Sequence, residues 1–178
     1  LTGSDPLKIF ALSGGDGLID GNATLNISGG TIMNEILAVT AVGTYDSKSF
    51  GGVSGNLDIN LSGSGTIESN IYMGSDWGPN GVGQNVNVLL KGGSLSKTGE
   101  TRVMEMGRMP GKNNSGAVVG GDVSITMDGD TTANNQGTTF LGTYNIFSGW
   151  TLYSGTGVQG NTSVTLKNIT SKNADSIS

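Results

Sequence analysis

Cysteine and histidine are both missing from the 178 residues, and proline occurs only 3 times. Without cysteine there is no disulfide framework and no thiolate metal site, and without histidine the commonest zinc ligand and general base are gone. Charge is scarce as well, at 13% of residues against about 25% in an average soluble domain. The 9 basic residues are outnumbered by 14 acidic ones, for a net charge of −5, which leaves no electrostatic footprint for nucleic acid or an anionic membrane. No apolar run approaches the ~18 residues of a membrane span, so membrane insertion is not expected. The chain opens at Leu1 and not at Met, with no charged-then-apolar leader, and reads as a processed product or an excised piece of a longer repeat protein.

What is plentiful is glycine, with 32 residues, beside an apolar fraction of 34%. The glycines follow no G-X-Y period, which excludes collagen, and the regular placement of Val, Ile and Leu argues against disorder. The regularity comes from an internal repeat. One phrase starts at Gly21, Gly55, Gln84, Gly121 and Gly160, at spacings of 34, 29, 37 and 39 residues. Its first copies are Gly21-Asn22-Ala23-Thr24-Leu25-Asn26-Ile27-Ser28-Gly29 and Gly55-Asn56-Leu57-Asp58-Ile59-Asn60-Leu61-Ser62-Gly63.

Strand side chains alternate between faces, so each copy has three inward and three outward positions. The inward columns read Ala23, Leu57, Val86, Val123, Thr162; then Leu25, Ile59, Val88, Ile125, Val164; then Ile27, Leu61, Leu90, Met127, Leu166. Only Thr162 among them is polar, and only Leu89 among the outward positions is apolar. A second phrase, Gly30-Thr31-Ile32, Gly65-Thr66-Ile67 and Gly93-Ser94-Leu95, with a degraded copy at Asp130-Thr131-Thr132, predicts a short second strand. A third phrase closes on glycine: Ile9 to Gly14, Leu37 to Gly43, Ile71 to Gly74, Val103 to Gly107 and Thr139 to Gly142.

Three short strands per repeat, always in one order, predict an all-β, right-handed parallel β-solenoid (a β-helix) of about five coils, occupying residues 1–178 as one domain. An antiparallel barrel also suits alternating strands and glycine turns, but it does not require that order. The right hand rests on the general preference of parallel β crossovers.

From the third-phrase glycine to the next anchor the chain runs 7, 12, 10, 14 and 18 residues in successive repeats. Insertions at one corner of a solenoid project along one edge, and these hold seven of the ten aromatics: Tyr45, Phe50, Trp77, Tyr144, Phe147, Trp150 and Tyr153. Exposed rings stack on sugar faces or fill protein hot spots, so Tyr45, Trp77, Tyr144, Trp150 and Tyr153 are the candidate ligand-binding residues of a loop edge. The bland alternative is that the rings fold back and shield the solenoid.

Paired carboxylates could instead mark a glycosidase. Asp16 with Asp20, Asp128 with Asp130, and Glu100 with Glu105 are neighbours, but none has a matched partner in the same column of an adjacent repeat. Lone Asp residues in glycine-rich turns are usually turn formers. The stretch Gly14 to Gly21 departs from the calcium-binding nonapeptide in the position of its second Asp and has no tandem copies, so neither metal nor cofactor is expected. Of six N-x-[ST] sequons, four arise simply from outward Asn, Ser and Thr on alternate strand positions, and no glycosylation is inferred from them.

The phrase G-N-x-x-(V/L/I)-x-(V/I/L)-x-G-G-T-I, followed by a strand that ends in glycine, resembles the repeats of bacterial surface β-helices, of which autotransporter passenger domains and giant adhesins are the best known. The resemblance runs from about Leu7 to Ile169. It implies secretion, a place at the bacterial cell surface or outside it, and a role in adhesion or matrix formation. The expected function is therefore a noncatalytic surface module whose partners are glycans or host and bacterial surface proteins. The alternatives are a structural solenoid that self-associates end to end, and a β-helix enzyme that degrades polysaccharide.

Overall fold

The structure, a computed structural model, describes residues 9–11, 19–33, 36–38, 52–74, 81–108, 119–129, 137–148 and 157–168. Fourteen strands lie among them, and they recur in threes along the chain. β1 (Ile9–Ala11) precedes the first full coil, which is β2 (Ala23–Ile27), β3 (Thr31–Ile32) and β4 (Ile36–Ala38). The second coil is β5 (Leu57–Leu61), β6 (Thr66–Ile67) and β7 (Ile71–Gly74), and the third is β8 (Val86–Leu90), β9 (Ser94–Leu95) and β10 (Thr101–Arg108). The fourth is β11 (Val123–Asp128), β12 (Thr139–Phe140) and β13 (Thr143–Ser148), and β14 (Thr162–Lys167) starts a fifth.

Equivalent strands of successive coils pair in parallel and build three sheets: β2-β5-β8-β11-β14, β3-β6-β9-β12 and β1-β4-β7-β10-β13. The chain is a parallel β-solenoid. The first sheet keeps the register expected from the repeat without a slip, so Leu25, Ile59, Val88, Ile125 and Val164 lie one upon the next. The reason is local to each strand: a slip of one residue would turn every inward Leu, Ile or Val to solvent. Each fully buried aliphatic side chain contributes about 1.5–3 kcal/mol, and Leu57, Ile59, Val86, Val88, Leu90, Val123 and Ile125 are all buried.

A further inward column, not recognised in the repeat, precedes the first sheet. Ile19, Val53, Val82, Val119 and Val158 form parallel bridges from coil to coil, two residues before each anchor. Val53, Val82 and Val119 belong to the buried core.

The Gly-Asn pair that opens the repeat is explained by hydrogen bonding between coils. The Asn22 Oδ1 accepts the Asn56 backbone N–H at 2.8 Å, and Asn56 accepts that of Asn85 at 3.0 Å. Asn85 then accepts from Asp122 and Asp122 from Asn161, both at 2.8 Å. This ladder satisfies backbone donors at a corner where sheet pairing has stopped. It also fixes the preceding glycine: a Cβ on Gly121 would overlap the Asn85 Oδ1 of the ladder and lie 2.9 Å from the Gln84 backbone carbonyl oxygen. Outward ladders reinforce the stack, with Asn60 donating to Asn26, and Ser124 donating to Asn87, at 2.8 Å each.

The fourth coil differs from the sequence reading. The strand that pairs with Ser94–Leu95 there is Thr139–Phe140, whereas the expected Asp130-Thr131-Thr132 lies outside the described residues. Phe140 packs against the core above buried Leu95. The Thr138 hydroxyl locks the re-entry by donating to the Gly92 carbonyl and accepting the Gly92 N–H, both at 3.1 Å. Consequently Thr139 to Gly142 is not the third strand of this coil. That strand is β13, where Ile146 pairs with Met104. In the first coil the third strand opens at Ile36, one residue earlier than Leu37, because Ile36 is the buried partner of Ile71.

Candidate functional site

In the third sheet the inward residues are Ile36, Ile71, Met73, Met104 and Met106, all fully buried. The period of two then turns the intervening positions outward. Tyr72, Glu105 and Phe147 are such positions, and backbone register sets them in one column, Tyr72 with Glu105 and Glu105 with Phe147, which the backbone of Leu37 and Phe10 continues. Tyr72 and Glu105 are half-buried, and Phe147 is 42% exposed. Four of these five positions are apolar or aromatic, whereas the outward columns of the first sheet carry only one apolar residue, Leu89.

The same strands launch the insertions. The chain leaves the third sheet after Ala11, Ala38, Gly74, Arg108 and Ser148, and it rejoins described structure at Ile19, Gly52, Gly81, Val119 and Gly157. Departure points are neighbours in one sheet, and the return points lie at or next to the Ile19-to-Val158 bridge column, so all five connections are anchored along one edge. Tyr45, Phe50, Trp77, Trp150 and Tyr153 belong to these connections and lie outside the described residues.

Tyr144 and Phe147 do not belong to a connection. Both are in β13, which shortens the last insertion and corrects the loop position expected for them. Phe147 joins the outward column. Tyr144 is half-buried with the parity of Ile146, and its hydroxyl donates to the Ser69 carbonyl oxygen of the second coil. Burial pushes the Tyr144 phenol well above its ordinary range, and the Arg102 charge beside it offsets a part of that rise. Tyr144 thus clamps a polar corner. Arg102 donates to Glu100 there, Lys97 Nζ lies 3.6 Å from Glu100, and the Ser96 hydroxyl donates to the Glu100 carbonyl at 3.2 Å. No described residue reaches the buried Ser69 hydroxyl or Arg102 Nε with a hydrogen bond.

Five described carboxylates are held by neighbouring side chains or backbone. Asp20 accepts from the Ser54 hydroxyl at 3.1 Å, Asp58 from the Asn87 amide at 2.8 Å, and Asp128 from the Asn168 amide at 3.2 Å. Asp122 holds the Asn161 backbone, and Glu100 faces Arg102 and Lys97. Asp16 and Asp130 lie outside the described residues. Among the described residues no group of three acidic side chains converges on a point that could hold a metal ion, and no helix is long and apolar enough to cross a membrane.

The outward column was legible in part. The tripeptides Ile9-Phe10-Ala11, Ile71-Tyr72-Met73 and Ile146-Phe147-Ser148 share an aromatic centre in the sequence, but the displaced fourth-coil strand hid the last of them. Comparison with protein-family models, curated proteins and solved structures gives no match, so the β-solenoid class is defined by the strand pairing itself.

Proposed function

We propose that this solenoid is a noncatalytic recognition module of a bacterial surface protein, working outside the cell and holding glycans or surface proteins against its third sheet and the adjoining edge. The observation that carries the reading is the column of the third sheet in which Tyr72, Glu105 and Phe147 face outward, with Leu37 and Phe10 at the next backbone positions of the same register. Tyr72 and Phe147 sit on alternate rigid strands, with Glu105 on the strand between them, so their rings are held at a fixed spacing and lose little conformational entropy on binding. Tyr45, Trp77, Trp150 and Tyr153 extend the same edge in this reading. The extracellular, surface-exposed setting rests on the resemblance of the repeat to bacterial surface β-helices. A polysaccharide-degrading role is less well supported, because Asp20, Asp58 and Asp122 already serve as ladder and turn acceptors.

The test is a glycan array probed with the whole chain, followed by Tyr72→Ala, Phe147→Ala and, on the edge, Trp77→Ala and Trp150→Ala. Retention should fall tenfold or more for the ring variants while Thr24→Ala, on the first sheet, binds as the parent does. Equal retention by all variants would refute the site, and release of reducing sugar from a bound glycan would replace binding by catalysis.

A further inference from the structure

We infer that the third sheet holds an extended, uncharged β-1,4-linked glycan along the solenoid axis, with every second sugar on one of two matched subsites. This rests on the recognition role proposed above and adds the class of ligand. The subsites come from one pattern used twice: Asn70-Ile71-Tyr72 in the second coil and Asn145-Ile146-Phe147 in the fourth. In each the Ile takes the inward side, Ile71 fully buried and Ile146 paired with buried Met104, so the period of two sends the ring and the Asn outward together. Phe147 and Asn145 are exposed, and Tyr72 and Asn70 are half-buried. An amide offers donors and an acceptor to sugar hydroxyls, and an aromatic face takes the C–H side of a pyranose.

Register makes the two subsites equivalent. Met104 pairs with Ile71 on one side and with Ile146 on the other, so Tyr72 and Phe147 are both opposite Glu105. Asn145 is opposite Val103, and the Val103 N–H donates to the Asn70 Oδ1 at 3.0 Å. Each ring thus has an amide beside it on the same side, and the two ring-and-amide pairs are two strands apart, about 9.6 Å at the ordinary inter-strand spacing.

That spacing selects the linkage. In a β-1,4 chain each sugar is turned over relative to the one before, the ribbon is straight, and every second sugar presents the same face and hydroxyls after about the distance that separates the two rings. Sugars one and three then meet identical pairs, and the sugar between them lies over Glu105 and Val103. A ring on the middle strand would face a sugar of the opposite orientation, and the third coil has none there. An α-1,4 chain coils away from a straight row and cannot keep both sugars in contact. Charge selects the kind of sugar. Glu105 is centred between the subsites on a chain of net charge −5, which opposes a glycan that carries a carboxylate on each residue.

Calorimetric titration of the whole chain with cello-, manno- and chito-oligosaccharides of increasing length tests this, with malto-oligosaccharides and β-1,4-linked oligomannuronates as contrasts. At least one of the three neutral series should bind, with affinity rising about tenfold or more from disaccharide to trisaccharide, where both subsites are first filled. Tyr72→Ala and Phe147→Ala should each abolish that step, Asn145→Ala should reduce it, and Thr24→Ala on the first sheet should keep it. Glu105→Gln should keep the step and raise the affinity for oligomannuronates. Far-UV circular dichroism confirms that each variant is folded before it is scored. The absence of a step in all three series, or malto-oligosaccharides or oligomannuronates bound as tightly by the parent, would overturn the assignment of ligand class. Ring-dependent retention of a different glycan would in that event leave the recognition role standing, whereas a parent that retains no glycan removes both.

Discussion

Ile125 and Val164 occupy one inward column in adjacent coils, and truncating each to alanine measures what the covering layer contributes. Ile125 is fully buried between Val88 and Val164, so its loss combines transfer free energy with an unfilled cavity, about 2–5 kcal/mol. Val164→Ala removes two methyl groups, worth about 1.6 kcal/mol if fully buried, and its 48% exposure halves that to about 0.8 kcal/mol. For a chain of this size about 2–4 °C of melting temperature corresponds to each kcal/mol, so the shifts should be about 4–20 °C for Ile125→Ala and about 2–3 °C for Val164→Ala. Thermal melts followed by far-UV circular dichroism read both. If the two variants lose the same melting temperature, then position in the stack does not set burial, and the argument from coil order to stability is wrong.

Three further outcomes follow from the ladders and the polar corner. Gly121→Ala, which drives a Cβ against Gln84 and Asn85, should lower stability by about 1–3 kcal/mol in urea titration, and Asn85→Ala in the same chain should restore only the part due to the side-chain oxygen. Leu89→Asn, opposite Asn60, should extend the Asn26–Asn60 ladder and raise stability by about 0.5 kcal/mol, and a lower melting temperature would refute the ladder's contribution. Tyr144 keeps its proton in the folded chain at pH values where the unfolded chain releases it, so its stabilising contribution is complete below about pH 10 and falls as pH rises further. Urea midpoints taken on either side of pH 10 should therefore drop for the parent, and the drop should shrink in Tyr144→Phe.

The first sheet was readable because its signal is redundant. Five copies with inward apolar and outward polar positions leave one register that buries all the large side chains, and the observed pairing is that register. The fourth coil was misread because a two-residue strand carries almost no pattern of its own. Asp130-Thr131-Thr132 followed the expected glycine, and only the apolar slot over Leu95 distinguishes Phe140 as the true occupant. The error spread to the candidate site, moving Tyr144 and Phe147 from a strand into an insertion. The bridge column from Ile19 to Val158 escaped notice for the same reason, since each coil contributes a single residue to it.

Alternation and repetition, then, were enough on their own to dictate the coil order, the buried columns and the glycines that the turns demand, because each follows from interactions between like positions one repeat apart. Which side chains share a face across different strands depends on where the chain turns its corners. Tyr144 meeting Ser69 across 75 residues and the alignment of Tyr72, Glu105 and Phe147 in one column of the third sheet arise from that winding, and only the folded chain decides them.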